Sequence, residues 1–593
     1  MAKKRRLLGV LSGGAVTALA LVVAGPATAA APPKASPTAV GHGGAVSSVD
    51  PDATAIGIEV LRRGGNAVDA AVATAAALGV TEPYSAGIGG GGFFVFYDAK
   101  RKKISTIDGR ETAPASFTST VFTENGTPIP FAEAVTSGLS VGVPGTPRTW
   151  DRALDAWGTR SLSRLLGPAT ALARKGFVVD ATFRDQTAAN AARFADFPAT
   201  RRLFLPGGQP PAVGTTLRNP DLARTYEQLA RGGVQQMYTG PIGADVVRTA
   251  QNPPVDPAAT RIVRKGQLTM ADLARYTAPF RAPTRTGYRG LDVYSMAPPS
   301  SGGTTVGEAL NILERIGLQG VDPTQYLHRY LTATTLAFAD RNRWVGDPAA
   351  VDVPVRELLS DRFAATRACL FDPARALTTP QPPGDPRAAG AECPIPAGAP
   401  VGAGEEGPST THLTVADKWG NVVAYTLTIE QTGGSGITVP GRGFLLNNEL
   451  TDFNFTPVTP GVPDPNLPGP GKRPRSSMSP TIVLDHGKPL LALGSPGGAT
   501  IITTVLQVLL GRLDRGLTLP AAIAAPRASG RNGAAVDAEP GFDTTALTAL
   551  GWRFASVAEI GAVAAVEFLP DGRVLAAAEP TRRGGGSAAV VRR

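Results

Sequence analysis

Cysteine is almost absent: the 593 residues hold two, Cys369 and Cys393, which excludes a disulfide scaffold. Histidine is scarce too. The four, His42, His328, His412 and His486, are scattered without metal-ligand spacing, and no H-E-x-x-H occurs. Aromatics make up only 6%, and no Lys/Arg stripe interleaves with them, which argues against nucleic-acid binding. Charged residues, at 18%, fall below ordinary usage. Beyond the N-terminus no apolar run approaches the roughly 18 residues of a spanning helix. Neither a Walker loop nor a G-x-S-x-G elbow is present, which argues against a P-loop enzyme and a standard α/β-hydrolase.

What is abundant is glycine, 70 residues, and proline, 53. Together they stay below the roughly 25–30% that marks low-complexity disorder, and no G-X-Y period appears. The chain reads as a large, loop-rich globular protein, for which length alone suggests about four domains. Its net charge is +10. Four of those charges are Lys3, Lys4, Arg5 and Arg6, in front of an apolar stretch at 7–25 and the small residues Ala27-Thr28-Ala29. That order is an export signal, cleaved after Ala29 or Ala31. Gly9, Ser12, Gly13 and Gly14 dilute the run and weaken the reading as a membrane anchor. The expected destination is extracellular, cell-surface or periplasmic, where a Cys369–Cys393 disulfide is compatible with the surroundings. Two free thiols are the alternative.

Residues 32–47 read as a flexible lead-in. Asp50-Pro51 starts a helix that ends near Gly64-Gly65. Asn66 caps a second, Ala-rich helix with Gly79 as its expected stop. Residues 87–92 formally contain G-x-G-x-x-G, but a strand-like aromatic run follows where a dinucleotide fingerprint requires a helix. Those glycines are assigned to tight backbone packing beside a sheet. Residues 93–97 and 104–107 form a hairpin. Residues 149–371 read as mostly helical, and 373–408 as a long Pro/Gly/Ala-rich stretch. Then the texture changes: strands at 411–416 and 422–429, a hairpin at 481–493, and an apolar helix at 499–513. Hairpins interleaved with helices indicate α+β layers.

The chemically unusual place is Gly407-Pro408-Ser409-Thr410-Thr411-His412, where the long stretch ends at a strand that begins with hydroxyl residues. Such a junction suits a chain that cuts itself. A Thr freed at its own N-terminus carries a base, because an α-amino group titrates near pH 7.7–8.0 and can activate the neighbouring hydroxyl. The plain alternative is a Thr-rich strand start, which spacing alone favours.

The stretches GGNAVDAAVATAAALGVTEPYSAGIGGGGFFVFYD (64–98), DGRETAP (108–114), VPGT (143–146), PPSSGG (298–303), TTH (410–412), LLNNELTDF (445–453), KRPRSSMSPT (472–481) and GSPGG (494–498) together resemble the γ-glutamyltransferase family of N-terminal nucleophile hydrolases, in family order. The resemblance implies a four-layer αββα sandwich of the α+β class and a proenzyme cleaved before Thr410. The pieces would be a signal at 1–29, a large subunit at 30–409 and a small catalytic subunit at 410–593, the last two forming a heterodimer. It implies transfer of a γ-glutamyl group from glutathione-like donors to water, an amino acid or a peptide. No cofactor, metal, nucleic acid or stable membrane span is implied.

Roles carry over by position. Thr410 would be nucleophile and self-cleavage residue, Thr428 its orienting partner, and Gly497 and Gly498 the oxyanion donors. Arg110 would grip the donor α-carboxylate with Ser476 and Ser477. Glu430, Glu449 and Asp452 would accept from its α-ammonium. Residues 454–471 carry no Tyr, so the lid seen in some relatives is not expected. Two other readings remain: a glutaryl-type cephalosporin acylase on the same fold, and an unprocessed exported binding protein.

Overall fold

The computed structural model describes residues 36–388, 407 and 409–592. The expected signal at 1–29, Cys393 and most of the Pro/Gly/Ala-rich stretch lie outside the described residues. Cys369 is held in a disulfide.

Two seven-stranded antiparallel sheets form the centre. The first runs in the order Ser587–Val590, Ala45–Ser48, Thr411–Ala416, Val422–Thr428, Gly91–Asp98, Lys103–Gly109 and Phe280–Arg281. The second runs Thr38–Gly41, Val574–Ala578, Ala564–Phe568, Lys488–Gly494, Thr481–Asp485, Leu291–Ser295 and Thr284–Tyr288. Each sheet takes strands from both sides of the Ser409–Thr410 bond, so neither piece of the chain could complete a sheet alone.

Strand alternation builds the layers. Along Gly91–Asp98, Phe94 and Phe96 enter one hydrophobic core and Phe93, Val95 and Tyr97 the other. The first core is closed by the helices Pro51–Arg62, Ala67–Thr81 and Leu162–Lys175. The second holds the interface between the sheets and the helices Gly302–Ile316, Pro323–Trp344 and Thr500–Leu513. This is the four-layer αββα arrangement. Local signals explain the ends of the first helices. Asp50 accepts from the Ala53 N–H, and Asn66 and Asp69 make a reciprocal capping box.

Two expectations change. The lead-in is not loose: Thr38–Gly41 and Ala45–Ser48 are strands, the latter wholly buried between Thr411–Ala416 and Ser587–Val590. Their partners lie hundreds of residues away, so no local pattern announced them. The Ala-rich helix passes Gly79 and ends at Thr81. Gly79 serves close packing instead, since a Cβ there would stand 2.6 Å from the Tyr226 hydroxyl. The middle of the chain is mostly helical as expected, and it adds the hairpin Thr284–Tyr288 and Leu291–Ser295, an edge of the second sheet.

The glycine run at 89–92 packs as its composition indicates. A Cβ at Gly90 would stand 2.0 Å from the Thr428 carbonyl oxygen, and one at Gly92 2.3 Å from that of Thr426. Gly90→Ala is therefore expected to lower stability by about 1–3 kcal/mol, the usual range for overpacking. Gly287→Thr, on an exposed strand position with nothing within 4 Å of its Cβ, should be neutral or raise it by up to about 1 kcal/mol. Denaturant midpoints of the two variants check the contrast.

Candidate functional site

Three strand ends converge at one edge of the first sheet. Gly91 pairs with Thr428, and Gly92 pairs with Gly109. That register places Thr428 and Glu430 at the end of one strand and Arg110 just past the end of another. Thr410 immediately precedes the strand Thr411–Ala416, whose first residue pairs with Leu427. A narrow cavity of about 20 Å³ lies at this point. It is lined by Arg110, Thr410, Thr428, Glu430, Glu449, Asp452, Ser476, Ser477 and Gly498, with Gly407 and Ser409 of the uncut chain. Of the residues expected from the sequence, only Gly497 stands off the lining.

Around the Ser409–Thr410 bond the hydroxyls form a short chain. The Thr410 hydroxyl contacts the Ser409 carbonyl oxygen. The Thr428 hydroxyl donates to that same oxygen at 3.0 Å and accepts from the Glu430 N–H at 2.8 Å. Thr410 Oγ1 and Thr428 Oγ1 are 3.4 Å apart. The Ser409 hydroxyl meets the Ser85 hydroxyl at 2.8 Å and the Tyr84 carbonyl at 3.0 Å. This carbonyl is thus both polarised and pinned. Arg583 donates to the Thr410 carbonyl at 2.8 Å.

Gly497 and Gly498 have successive positive φ, 135° and 55°, which favours glycine. Their carbonyls accept from Thr500 and Ile501 at the start of the helix Thr500–Leu513. Neither N–H donates to a described protein group, and of the two only Gly498 lines the cavity.

Arg110 is buried, and its guanidinium lies between Glu449 and Asp452, forming an ion pair with each. It also donates to the Pro474 carbonyl at 3.2 Å and the Arg475 carbonyl at 3.1 Å. The groups expected to read opposite ends of an amino acid are therefore paired with one another in this structure. Glu430, in the left-handed region at φ 78°, accepts from the Gly407 N–H at 2.5 Å and from Asn448. Burial, with Asp452 close by, pushes its carboxyl well above the usual range. Residues 454–471 are stapled to themselves: Asp464 accepts from Asn454 at 2.8 and 3.0 Å and from the Asn466 N–H at 2.8 Å. None of them lines the cavity.

Sequence reasoning missed several supports. Arg341, inside the helix Pro323–Trp344, donates to the Ser301 hydroxyl at 2.9 Å and the Ser477 hydroxyl at 2.7 Å. Nothing local marks it. Ser301 sits in the PPSSGG stretch, and Glu111 follows Arg110, so both were within quoted motifs without an assigned part. Glu111 is wholly buried with both carboxyl oxygens lacking a hydrogen-bond partner. His412 is a core residue. Its ring lies between the Thr426 and Thr414 hydroxyls, and burial pushes its pKa down to about 3.

The γ-glutamyltranspeptidase family profile matches residues 53–589. The chain is 41% identical over 497 residues to the glutathione hydrolase proenzyme of Bacillus subtilis, covering 82% of this chain and 81% of that one. It is 37% identical over 549 residues to the Escherichia coli glutathione hydrolase proenzyme, covering 91% and 90%. Among solved structures, the cephalosporin acylase of Bacillus halodurans superposes with a TM-score of 0.81 at 28% identity, covering 96% and 99%.

Glu111 yields a pH prediction. Burial raises its pKa from 4.5 to about 8, against the opposing pull of Arg110. Between those values the folded protein holds a proton that the unfolded chain has lost. Its contribution is full below pH 4.5 and is lost as pH rises through 8, at about 1.4 kcal/mol per pH unit. Glu111→Gln should flatten that part of the profile. Thermal midpoints of wild type and variant, converging at the acid end and separating in favour of the variant at the alkaline end, check it.

Proposed function

The chain belongs to the γ-glutamyltranspeptidase family, and from that premise we propose that it is an exported proenzyme that cuts itself before Thr410 and then moves γ-glutamyl groups through a Thr410 acyl-enzyme. The single observation behind this reading is the Thr428 hydroxyl on the Ser409 carbonyl, with the Thr410 hydroxyl against the same group. In self-cleavage, Thr410 Oγ attacks the Ser409 carbonyl carbon, the C–N bond breaks, and the proton passes from the hydroxyl to the freed Thr410 nitrogen. Water then hydrolyses the resulting ester. Ser409 leaves as a carboxylate, and Thr410 keeps a free α-amine to serve as base.

With Gly407 and Ser409 withdrawn, the pocket suits the head of one amino acid. Arg110 exchanges its carboxylate partners for the donor α-carboxylate, which Ser476 and Ser477 also meet. Glu430, Glu449 and Asp452 accept from the α-ammonium. The γ-carbonyl faces Thr410, with its developing oxyanion toward the Gly497 and Gly498 N–H groups. A water then gives hydrolysis, and an amine gives transfer. Glutathione-like compounds are the donor class, and the two pieces stay together as a heterodimer because each sheet needs strands from both.

The similarity to the cephalosporin acylase supports a second reading, a glutaryl acylase. Three acids around one arginine favour the first, since a glutaryl group has no ammonium for them to meet.

The wild-type chain should migrate as two fragments, the smaller starting at Thr410, and Thr410→Ala as one uncut, inactive chain. Cleavage in Thr410→Ala would remove the nucleophile assignment. Thr428→Val should slow self-cleavage about 10²–10³-fold, as loss of one oxyanion-type donor does, measured by gel time course. Turnover of γ-glutamyl-p-nitroanilide well above that of a glutaryl anilide separates the two substrate readings. The reverse order selects the acylase.

A further inference from the structure

At the end of the sheets away from the Thr410 pocket, three hairpin turns meet. The turn after Gly91–Asp98 is tied to the turn after Thr411–Ala416 by the Ala99 N–H, which donates to Asn421 Oδ1 at 3.0 Å. The Tyr97 hydroxyl donates to the Gly487 carbonyl at 2.8 Å, which adds the turn between Thr481–Asp485 and Lys488–Gly494. Ala99 and Asn421 are 322 residues apart in the chain, so only folding assembles this surface.

All three turns carry exposed cations. Lys100, Arg101, Lys102 and Lys103 stand on the first, Lys418 on the second and Lys488 on the third. The acids there are engaged. Asp98 pairs with Arg101 at 2.9 Å, buried Asp417 accepts from the N–H groups of Ala67, Trp419 and Asn421, and Asp485 lies 2.6 Å from His486. The lysines form no ion pair among the described residues. Like charges crowded on one end repel, so folding gains nothing from them. Beside them Trp419 is 51% exposed. The Lys418 ammonium lies 4.8 Å from its ring centroid, and its indole N–H donates to no described protein group. An exposed apolar side chain alone needs no explanation. An indole among unpaired lysines matches the lipid–water boundary, where such a ring sits at the headgroup level and cations meet anionic headgroups.

We propose that this end of the molecule docks on an anionic phospholipid bilayer, with Trp419 in the headgroup layer and the lysines of the three turns on the lipid phosphates. Nucleic acid fits less well. The cations stand on turns and not along a groove that could track a backbone, and these turns offer one exposed ring where stacking uses several. The orientation suits an enzyme. The strand Gly91–Asp98 has 8 residues, so its far end lies roughly 25 Å from its start beside the pocket. A bilayer under the turns leaves the Thr410 pocket facing solvent. The docking is independent of the reaction at Thr410, and its test reads binding alone.

The test floats the purified protein with vesicles of phosphatidylcholine alone or mixed with phosphatidylglycerol. The wild type should rise with the mixed vesicles only, and about 1 M salt, where the screening length falls to about 3 Å, should release it. Lys100→Ala and Lys418→Ala should each weaken binding about fivefold, the weight of one basic residue near a charged membrane. Trp419→Ser should weaken it about tenfold, the low end for a large apolar side chain. Trp419→Tyr keeps an interfacial ring and should retain most of the binding, which separates a lost contact from a lost fold. Lys265→Ala, exposed but outside the three turns, should change nothing. A wild type that stays down with the mixed vesicles overturns the proposal, and so does an equal effect of Lys265→Ala and Lys418→Ala. Binding that falls with the lysines but survives Trp419→Ser marks a patch for a soluble polyanion such as nucleic acid and overturns the bilayer assignment.

Discussion

The active edge of the molecule depends on the absence of side chains at four consecutive positions. From Gly89 to Gly92 the backbone lies against the carbonyls of Leu445, Thr428, Gly109 and Thr426, closer than any Cβ could allow. That approach brings three strand ends to one place: Thr428 beside Gly91, and Gly109, hence Arg110, beside Gly92. The hydroxyl pair at the scissile bond and the arginine that meets a carboxylate are both held from this one stretch. A methyl group there would move the donors and the grip together.

The electrostatics follow from burial. One guanidinium, Arg110, is surrounded by Glu111, Glu430, Glu449 and Asp452, all inside the protein. Water cannot screen so many negative charges in so small a volume. Glu449 and Asp452 hold the ion pairs, while Glu111 and Glu430 are pushed toward the neutral acid. In the proposed function an amino-acid head, with one carboxylate and one ammonium, would enter this arrangement by exchange of partners without adding net charge. A substrate with only a carboxylate would lack the second half of that exchange.

The uncut chain fills its own pocket. Gly407 bonds Glu430, and Ser409 is held by Ser85, Tyr84 and Thr428. Under the proposed self-cleavage before Thr410, these same contacts occupy the space that the proposed donor would need. Beside it, among the described residues, a groove is lined by the helices Phe131–Val135 and Ala181–Ala195 and by Gln431.

By itself, the sequence determined what depends on short windows. The Asn66 cap, the hairpins at 93–107 and 411–429, and the hydroxyl run after a Pro/Gly-rich stretch are all local, and their motifs marked Thr410, Arg110 and the acids. The strands Thr38–Gly41 and Ala45–Ser48 were not legible, because their partners are hundreds of residues away and a short Ala/Ser/Val segment says nothing about them. Arg341 and Arg583 carried no signal either, since each reaches the site from a distant element, and Ser85 stood in the stretch 64–98 without an assigned part. Only the tertiary structure decided that Arg110 is paired with the very acids expected to share its ligand, that Gly498 but not Gly497 lines the cavity, and that Gly79 serves packing. Spacing along a chain reports periodicity and local hydrogen bonding. It does not report which charges become neighbours once water is removed from between them.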